Sequence, residues 1–312
     1  MSEKRYESMK RLAAFACAVG VSAAMALGLT GCTQEEYTPK ELTPSITSPA
    51  IAQDGVLRVG VTGGAPFVIE TSSSMGGLDV DFAAAIADDL GLKLEVVTLG
   101  TDPAAIEEAL VNGSVDMVMG AGSSVESENV WLSEAYISSG VVLFGASDAT
   151  VPNPVGESLP MIAAQDSSTS AWAVTNAFGE GCVVSSSDLM SAFSSYQSGA
   201  AQFVAADAVI GSYVVTYQNL DVVPVALLGE ASGYRVAIAA SNTDLQQAVA
   251  NSLSGIASNG IGSLLSTRNL GTVIDLSNLP VIETAVPAAG GSDAEGDAAG
   301  SESTAGSNAV TE

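Results

Sequence analysis

The side chains that most often do chemistry in proteins are scarce in this 312-residue chain. It has no histidine, which removes the usual general base, the commonest metal ligand and the imidazole of a Ser-His or Cys-His pair together. Its three cysteines are Cys17, Cys32 and Cys182. The first two lie in, or at the end of, an apolar N-terminal run, so Cys182 is left alone. One cysteine supports neither a disulfide framework nor a zinc site, and its type suits a small buried hydrophobe. No metal and no cofactor is expected. What remains is binding chemistry. Ser167-Ser168-Thr169 stands where a helix begins, so its hydroxyls and free backbone N–H groups could hold polar ligand atoms. Glu126 and Glu128 either accept from a ligand amine or are solvated loop acids. Trp131 and Trp172 could stack on a planar or cationic group, packing being the plainer role for Trp131. Gly63-Gly64 suggests a phosphate loop only weakly, because Pro66-Phe67 follow instead of a helix.

Charge narrows the ligand further. The chain carries 9 Lys+Arg against 35 Asp+Glu, a formal net charge of -26. Such a surface repels nucleic acid and anionic headgroups, so neither is an expected partner. Between Lys93 and Arg235 lie 141 residues without a Lys or Arg. Arg58 and Arg235 remain as candidates, with structural ion pairing as their plainer role. A carboxylate buried without a cation is costly unless backbone N–H groups satisfy it.

The elements that must position these groups alternate between strand and helix. Val56–Val61 reads as a strand entering Gly63-Gly64-Ala65-Pro66. Asp79–Leu90 carries a helical apolar stripe ended by Gly91. Lys93–Leu99 is a strand, Pro103–Val111 a helix stopped by Asn112-Gly113, and Val115–Met119 a strand running into the loop that holds Gly120 and Ser123. The second part repeats this: a strand at Met161–Gln165, a helix at Leu189–Gln197, a strand at Ala208–Ile210 and a helix from Ser212 to Gln218. A strand at Tyr234–Ala240 and helices at Asp244–Ala257 and Ile261–Leu265 close the run. The pattern predicts an α/β fold with mostly parallel sheet. Ligands then sit beyond the carboxyl ends of strands, at the 62–67 and 120–128 loops.

The ends read differently. A basic stretch, an apolar run from Leu12 to Leu29 and small residues have the layout of a secretory signal, with Met1 or Met9 as its start. Leu29-Thr-Gly-Cys32 resembles the bacterial lipobox, which implies that Cys32 is lipidated and that residues 1–31 are removed. An uncleaved anchor helix is the alternative. Removing residues 1–31 takes away four cations and two acids, leaving -28. Residues 32–53, with three prolines, read as a tether, and 287–312 as a disordered acidic tail. The folded domain is expected at about 54–286.

Five segments in register carry a family resemblance: Gly55-Val-Leu-Arg-Val-Gly-Val with Ala65-Pro66-Phe67; Gly77-Leu-Asp-Val-Asp-Phe-Ala-Ala-Ala-Ile-Ala; Ala109-Leu-Val-Asn-Gly-Ser-Val-Asp-Met-Val; Leu132-Ser-Glu-Ala-Tyr136; and Tyr234-Arg-Val-Ala-Ile. They resemble the extracellular solute-binding proteins of the polar amino-acid ABC importers, family 3. The resemblance implies a two-lobed type II periplasmic-binding-protein fold whose mostly parallel sheets are joined by a two-strand hinge. Lobe one would be 54–144 with 231–286 and lobe two 145–230, hinged near Phe144–Ala146 and Leu228–Ser232. It also implies a monomer outside the cytoplasmic membrane, not an enzyme, that passes a small solute to ABC permease subunits. Phe67 would match an aromatic that covers the ligand. The arginine that forks onto an amino-acid carboxylate is replaced by Glu126 or Glu128, depending on the alignment. An ammonium-binding Asp, five residues after the position matching Asp207, is Ser212 here. The expected solute is therefore neutral or cationic rather than an ordinary amino acid. A cyclohexadienyl-dehydratase-like enzyme, and a sensor or degenerate binding domain, are the alternatives.

Overall fold

The computed structural model describes residues 42–283. The expectations for residues 1–41 and 284–312, including Cys32, the signal and the acidic tail, lie outside the described residues. Among the described residues the strands are β1 (Val56–Val61), β2 (Ile69–Glu70), β3 (Met75–Gly76), β4 (Lys93–Thr98), β5 (Met117–Ala121), β6 (Val130–Leu132), β7 (Ile137–Gly145), β8 (Ile162–Gln165), β9 (Val183–Ser186), β10 (Phe203–Asp207), β11 (Val223–Ala239) and β12 (Val281–Ile282). The helices are α1 (Leu78–Asp89), α2 (Pro103–Val111), α3 (Thr169–Phe178), α4 (Leu189–Gln197), α5 (Ala208–Tyr217), α6 (Thr243–Ser258) and α7 (Ile261–Leu270).

The α/β architecture is built on a main sheet in the order β4-β1-β5-β11-β7-β10-β8-β9, with β6 and β12 also on β11. Its wings are parallel: β1 pairs with β4 and β5, and β8 with β9 and β10. Its centre is antiparallel, where β7 pairs with β10 and where β11 meets β5, β6 and β7. Single residues explain the helix ends. Asp102 caps α2 by accepting from Ala104 N–H ahead of Pro103 at the first turn, and Asp188 caps α4 by accepting from Ser191 N–H.

One apolar core lies under β1 and β5 and holds Leu57, Phe82, Ile86 and Met117. A smaller cluster around Ile106, Leu110 and Val118 flanks it. Two further clusters pack both faces of β7, β8 and β10, around Phe144 and Phe193 on one side and Leu143, Ile162 and Val174 on the other. Phe82 is 1% exposed, and truncating a side chain so enclosed costs about 3–5 kcal/mol. Two strands connect the halves. On β11 the register shifts between Leu228 and Ser232. On β7, Ser138 and Ser139 pair with Gly233 and Ser232, whereas Val141–Phe144 pair with both β10 and the first part of β11. Val142, Leu143 and Phe144 belong to the second half's cores, so β7 changes partners upstream of the expected Phe144–Ala146.

Two expectations are corrected. The segment read as a strand, Ala208–Ile210, is the first turn of α5. Asp207 accepts from Val209 N–H at 2.9 Å and from Ile210 N–H at 3.0 Å, which starts a helix there despite the β-branched Val-Ile. The strand is Phe203–Asp207, just upstream. The described part of the expected tether, residues 42–53, packs onto the domain. Ile51 is fully buried, Ser45 N–H donates to the Leu90 carbonyl, and Ala52 N–H donates to Asp116. Its isoleucines and Ala50 supply apolar surface that its prolines conceal in the sequence.

Candidate functional site

Where β8 and β10 end and β11 crosses, a cavity of about 350 Å³ opens. Gln165, Ser168 and Thr169 line it from the β8–α3 turn, Asp207 and Ile210 from the β10–α5 turn, and Gly140, Ser232 and Tyr234 from the crossing strands. Ligand cavities in open α/β sheets lie beyond the carboxyl ends of strands, and this one does.

Asp207 is its charged wall residue. One carboxylate oxygen caps α5 through the two N–H groups already described. The other accepts from the Ser139 hydroxyl at 2.6 Å, and the Tyr234 hydroxyl is also bonded to Asp207. Burial, followed by that neighbouring carboxylate, holds the Tyr234 hydroxyl well above the usual phenol range. Among the described residues, no Lys or Arg lines the cavity. The cations among the described residues are engaged elsewhere or lie on the outside. Arg58 bonds Asp116 at 3.1 Å and the Gly113 carbonyl at 2.7 Å. Arg235 donates to the Ser133 carbonyl, Arg268 lies 3.6 Å from Asp81, and Lys93 is exposed.

A second acid lies behind Tyr234. Asp79, on the first turn of α1, is fully buried, and Oδ1 accepts from the Tyr136 hydroxyl at 2.5 Å. Oδ2 has no partner. Burial pushes this carboxyl up to about 7, against the lowering effect of the Tyr136 hydrogen bond. Gly120 covers Oδ2: its φ is +74°, and a Cβ there would stand 2.6 Å from that oxygen.

The sequence-predicted residues scatter around this geometry. Ser168 and Thr169 line the cavity. The Ser168 hydroxyl is committed to the α3 cap, donating to the Gln165 carbonyl at 2.6 Å and accepting from Ala171 N–H at 3.1 Å. Ser167, at φ 54°, and Trp172 line an adjoining open bay of about 800 Å³ that shares Ser168 and Thr169 with the cavity. Trp172 is 42% exposed there. Phe67 is buried, its ring 4.5 Å from that of Tyr234, so it backs the cavity wall. Gly120 lies against Asp79. Ser123, Glu126 and Glu128 are exposed and are not among the cavity's wall residues. Ser212 is buried within α5, five residues beyond the acid that does face the cavity. Asp207, Ser139 and Tyr234 are the residues that sequence reasoning missed as a group. The available signal was the run Phe203–Ala206 followed by Asp207, a strand ending in a capping acid.

Residues 57–272 match the model of the bacterial extracellular solute-binding proteins, family 3. An ancestral cationic amino acid solute-binding protein is 25% identical, over 69% of this chain and 96% of that one, with a TM-score of 0.57. The L-cystine solute receptor of Neisseria gonorrhoeae, in its unliganded open conformation, is 19% identical over 70% of this chain and 94% of its own, with a TM-score of 0.60. A polar amino acid ABC uptake transporter substrate-binding protein from Streptococcus thermophilus is 19% identical over 70% and 88%, also at 0.60. The last two likenesses establish the fold alone. No curated protein sequence matches the chain.

Proposed function

The chain belongs to the bacterial extracellular solute-binding proteins of family 3, and on that premise we propose that it is a lipid-anchored receptor of an ABC importer, capturing a neutral or cationic small solute. Two halves joined by β7 and β11, 54–140 with 231–270 against 141–230 with the 274–283 segment, whose Leu276 and Ile282 pack in the second half, act as lobes that close on the solute. The permease takes the solute from the closed form, and no bond is made or broken. No helix of the described residues is long and apolar enough to cross a membrane. Cys32, bearing diacylglycerol, is the anchor in this reading, and Cys32→Ser is expected to move the protein from membranes to the soluble fraction. Retention in membranes would instead assign the anchor to residues 12–29.

The observation that carries the solute preference is Asp207, which faces a cavity without a cation in its wall. An amine brought to Asp207 gains a charge-assisted hydrogen bond. A carboxylate brought to the same place meets a like charge, at a desolvation cost that nothing there offsets. The carboxylate-rich substrates of a dehydratase fit this cavity badly for the same reason. Thermal-shift titration with L-arginine methyl ester, L-arginine and L-glutamate tests the preference. The ester keeps both cationic groups and lacks the carboxylate, so it is expected to stabilise the protein at least as well as arginine. A selective response to glutamate would overturn the reading.

A further inference from the structure

A second cavity, of about 450 Å³, shares no wall residue with the one holding Asp207. It opens between the β6–β7 segment and helices α6 and α7. Trp131 and Tyr136 form one wall with Phe82 behind them, and Leu253 and Ile256 stand on the other. The space exists because α6 presents small residues there. Ala250, Ser254 and Ala257 fall at the i, i+4, i+7 spacing of a single helix face. Trp131, one of two tryptophans, is half-buried against the first core and has no part in the Asp207 cavity.

The dimensions and lining define an occupant. An apolar cavity of about 150 Å³ is enough to hold a benzene ring, and sites for small molecules begin at about 300 Å³. This volume therefore has room for a substituted aromatic ring. The side walls supply aromatic and aliphatic faces with which a ring can make dispersion and offset-stacking contacts. Tyr136 is half-buried and its hydroxyl is spent on Asp79. The Ser133 hydroxyl is likewise spent on the Glu134 carbonyl and Val236 N–H. Polar recognition is thus left to the exposed Ser254 and Glu134. Glu134 is the charged wall residue, and among the described residues no Lys or Arg accompanies it.

We propose that this cavity is a second ligand site, which takes a single-ring aromatic molecule that is neutral or carries an amine, held between the Trp131–Tyr136 wall and α6. The site is independent of the solute cavity and does not require the transport reading. Trp131 reports on it directly. In full-length protein carrying Trp172→Phe, tryptophan emission comes from Trp131 alone. Benzylamine and benzyl alcohol are expected to change that emission saturably, and benzoate, of the same shape but negative, to bind several-fold more weakly. Ala257→Leu and, separately, Ser254→Leu fill the space and should abolish the response, with a cooperative melt confirming that each variant folds. Asp207→Asn, which alters only the solute cavity, should leave it unchanged. The proposal is overturned if neither benzylamine nor benzyl alcohol gives a saturable response. It is equally overturned if the response survives both filling substitutions, or if benzoate binds as tightly as benzylamine. Loss of arginine ester binding in Asp207→Asn is read separately and bears on the solute cavity alone.

Discussion

Asp79 and Asp207 are both acids at the start of a helix, and both sit near Tyr234, yet their surroundings differ. Asp207 is surrounded by donors: two backbone N–H groups, the Ser139 hydroxyl and the Tyr234 hydroxyl. Asp79 has one, the Tyr136 hydroxyl, and its second oxygen is sealed under Gly120 without a partner. Asp207 is held by neutral donors while it faces the open cavity, whereas Asp79 meets burial with a single hydrogen bond. Burial raises the Asp79 carboxyl to about 7, which makes it a structural acid held largely in its neutral form at mildly acidic pH. Asp207 keeps its place through hydrogen bonds and presents a formal negative charge to the cavity. Closeness in space did not give these acids the same role; the number of donors did.

The largest effect that sharpens this contrast is on stability against pH. The folded value of Asp79 lies above the ordinary carboxylate value of 3.8, so the folded state binds its proton more tightly than the unfolded chain does. The contribution is fully present below about 4 and is lost as pH rises to about 7, amounting to a few kcal/mol at 1.36 kcal/mol per unit. Denaturant unfolding from pH 4 to pH 8 should show Asp79→Asn growing relatively more stable against wild type as pH rises. A constant difference across that range would break the contrast. Next in size is Gly120→Ala, expected to cost about 1–2 kcal/mol for the left-handed backbone alone. The added contact with Asp79 increases that loss. Replacing the donors around Asp207 should matter less: Ser139→Ala and Tyr234→Phe are each expected to cost about 0.5–1.5 kcal/mol of stability. They should leave arginine ester binding closer to wild type than Asp207→Asn does. Smallest are Glu126→Gln and Glu128→Gln. Both acids are exposed and off the cavity wall, so solute affinity should change by less than about 0.5 kcal/mol.

The elements were legible wherever punctuating residues bound them. Val56–Val61, Pro103–Val111 and Leu189–Gln197 match the structure residue for residue, because Gly55, Asp102-Pro103, Asn112-Gly113, Asp188 and Ser198-Gly199 mark their ends chemically. Ala208–Ile210 was misread because Val-Ile is a strand-like pair, whereas the capping bonds of Asp207 that override it are set by φ and ψ at one residue. The length of β11 was also hidden. Gly229, Ser232 and Gly233 look like a break, but the strand runs through them as the halves exchange partners with a register shift. The candidate site was legible only at Ser168 and Thr169. Asp207, Ser139 and Tyr234 lie far apart in sequence, and Asp79 meets Tyr136 across 57 positions. No local spacing announces such meetings. The missing cations, by contrast, were visible as a bare count, and the cavity's wall contains none.

The most direct test of the central claim, that a cation-free cavity around Asp207 receives a positive or neutral group, is calorimetric titration with L-arginine methyl ester on wild type and Asp207→Asn. Measurable binding to wild type is expected, weakened by about 1.5–3 kcal/mol in the variant, the size of a lost hydrogen bond to a charged group. Equal affinity in both proteins, or L-glutamate binding to wild type more tightly than the ester, would contradict it.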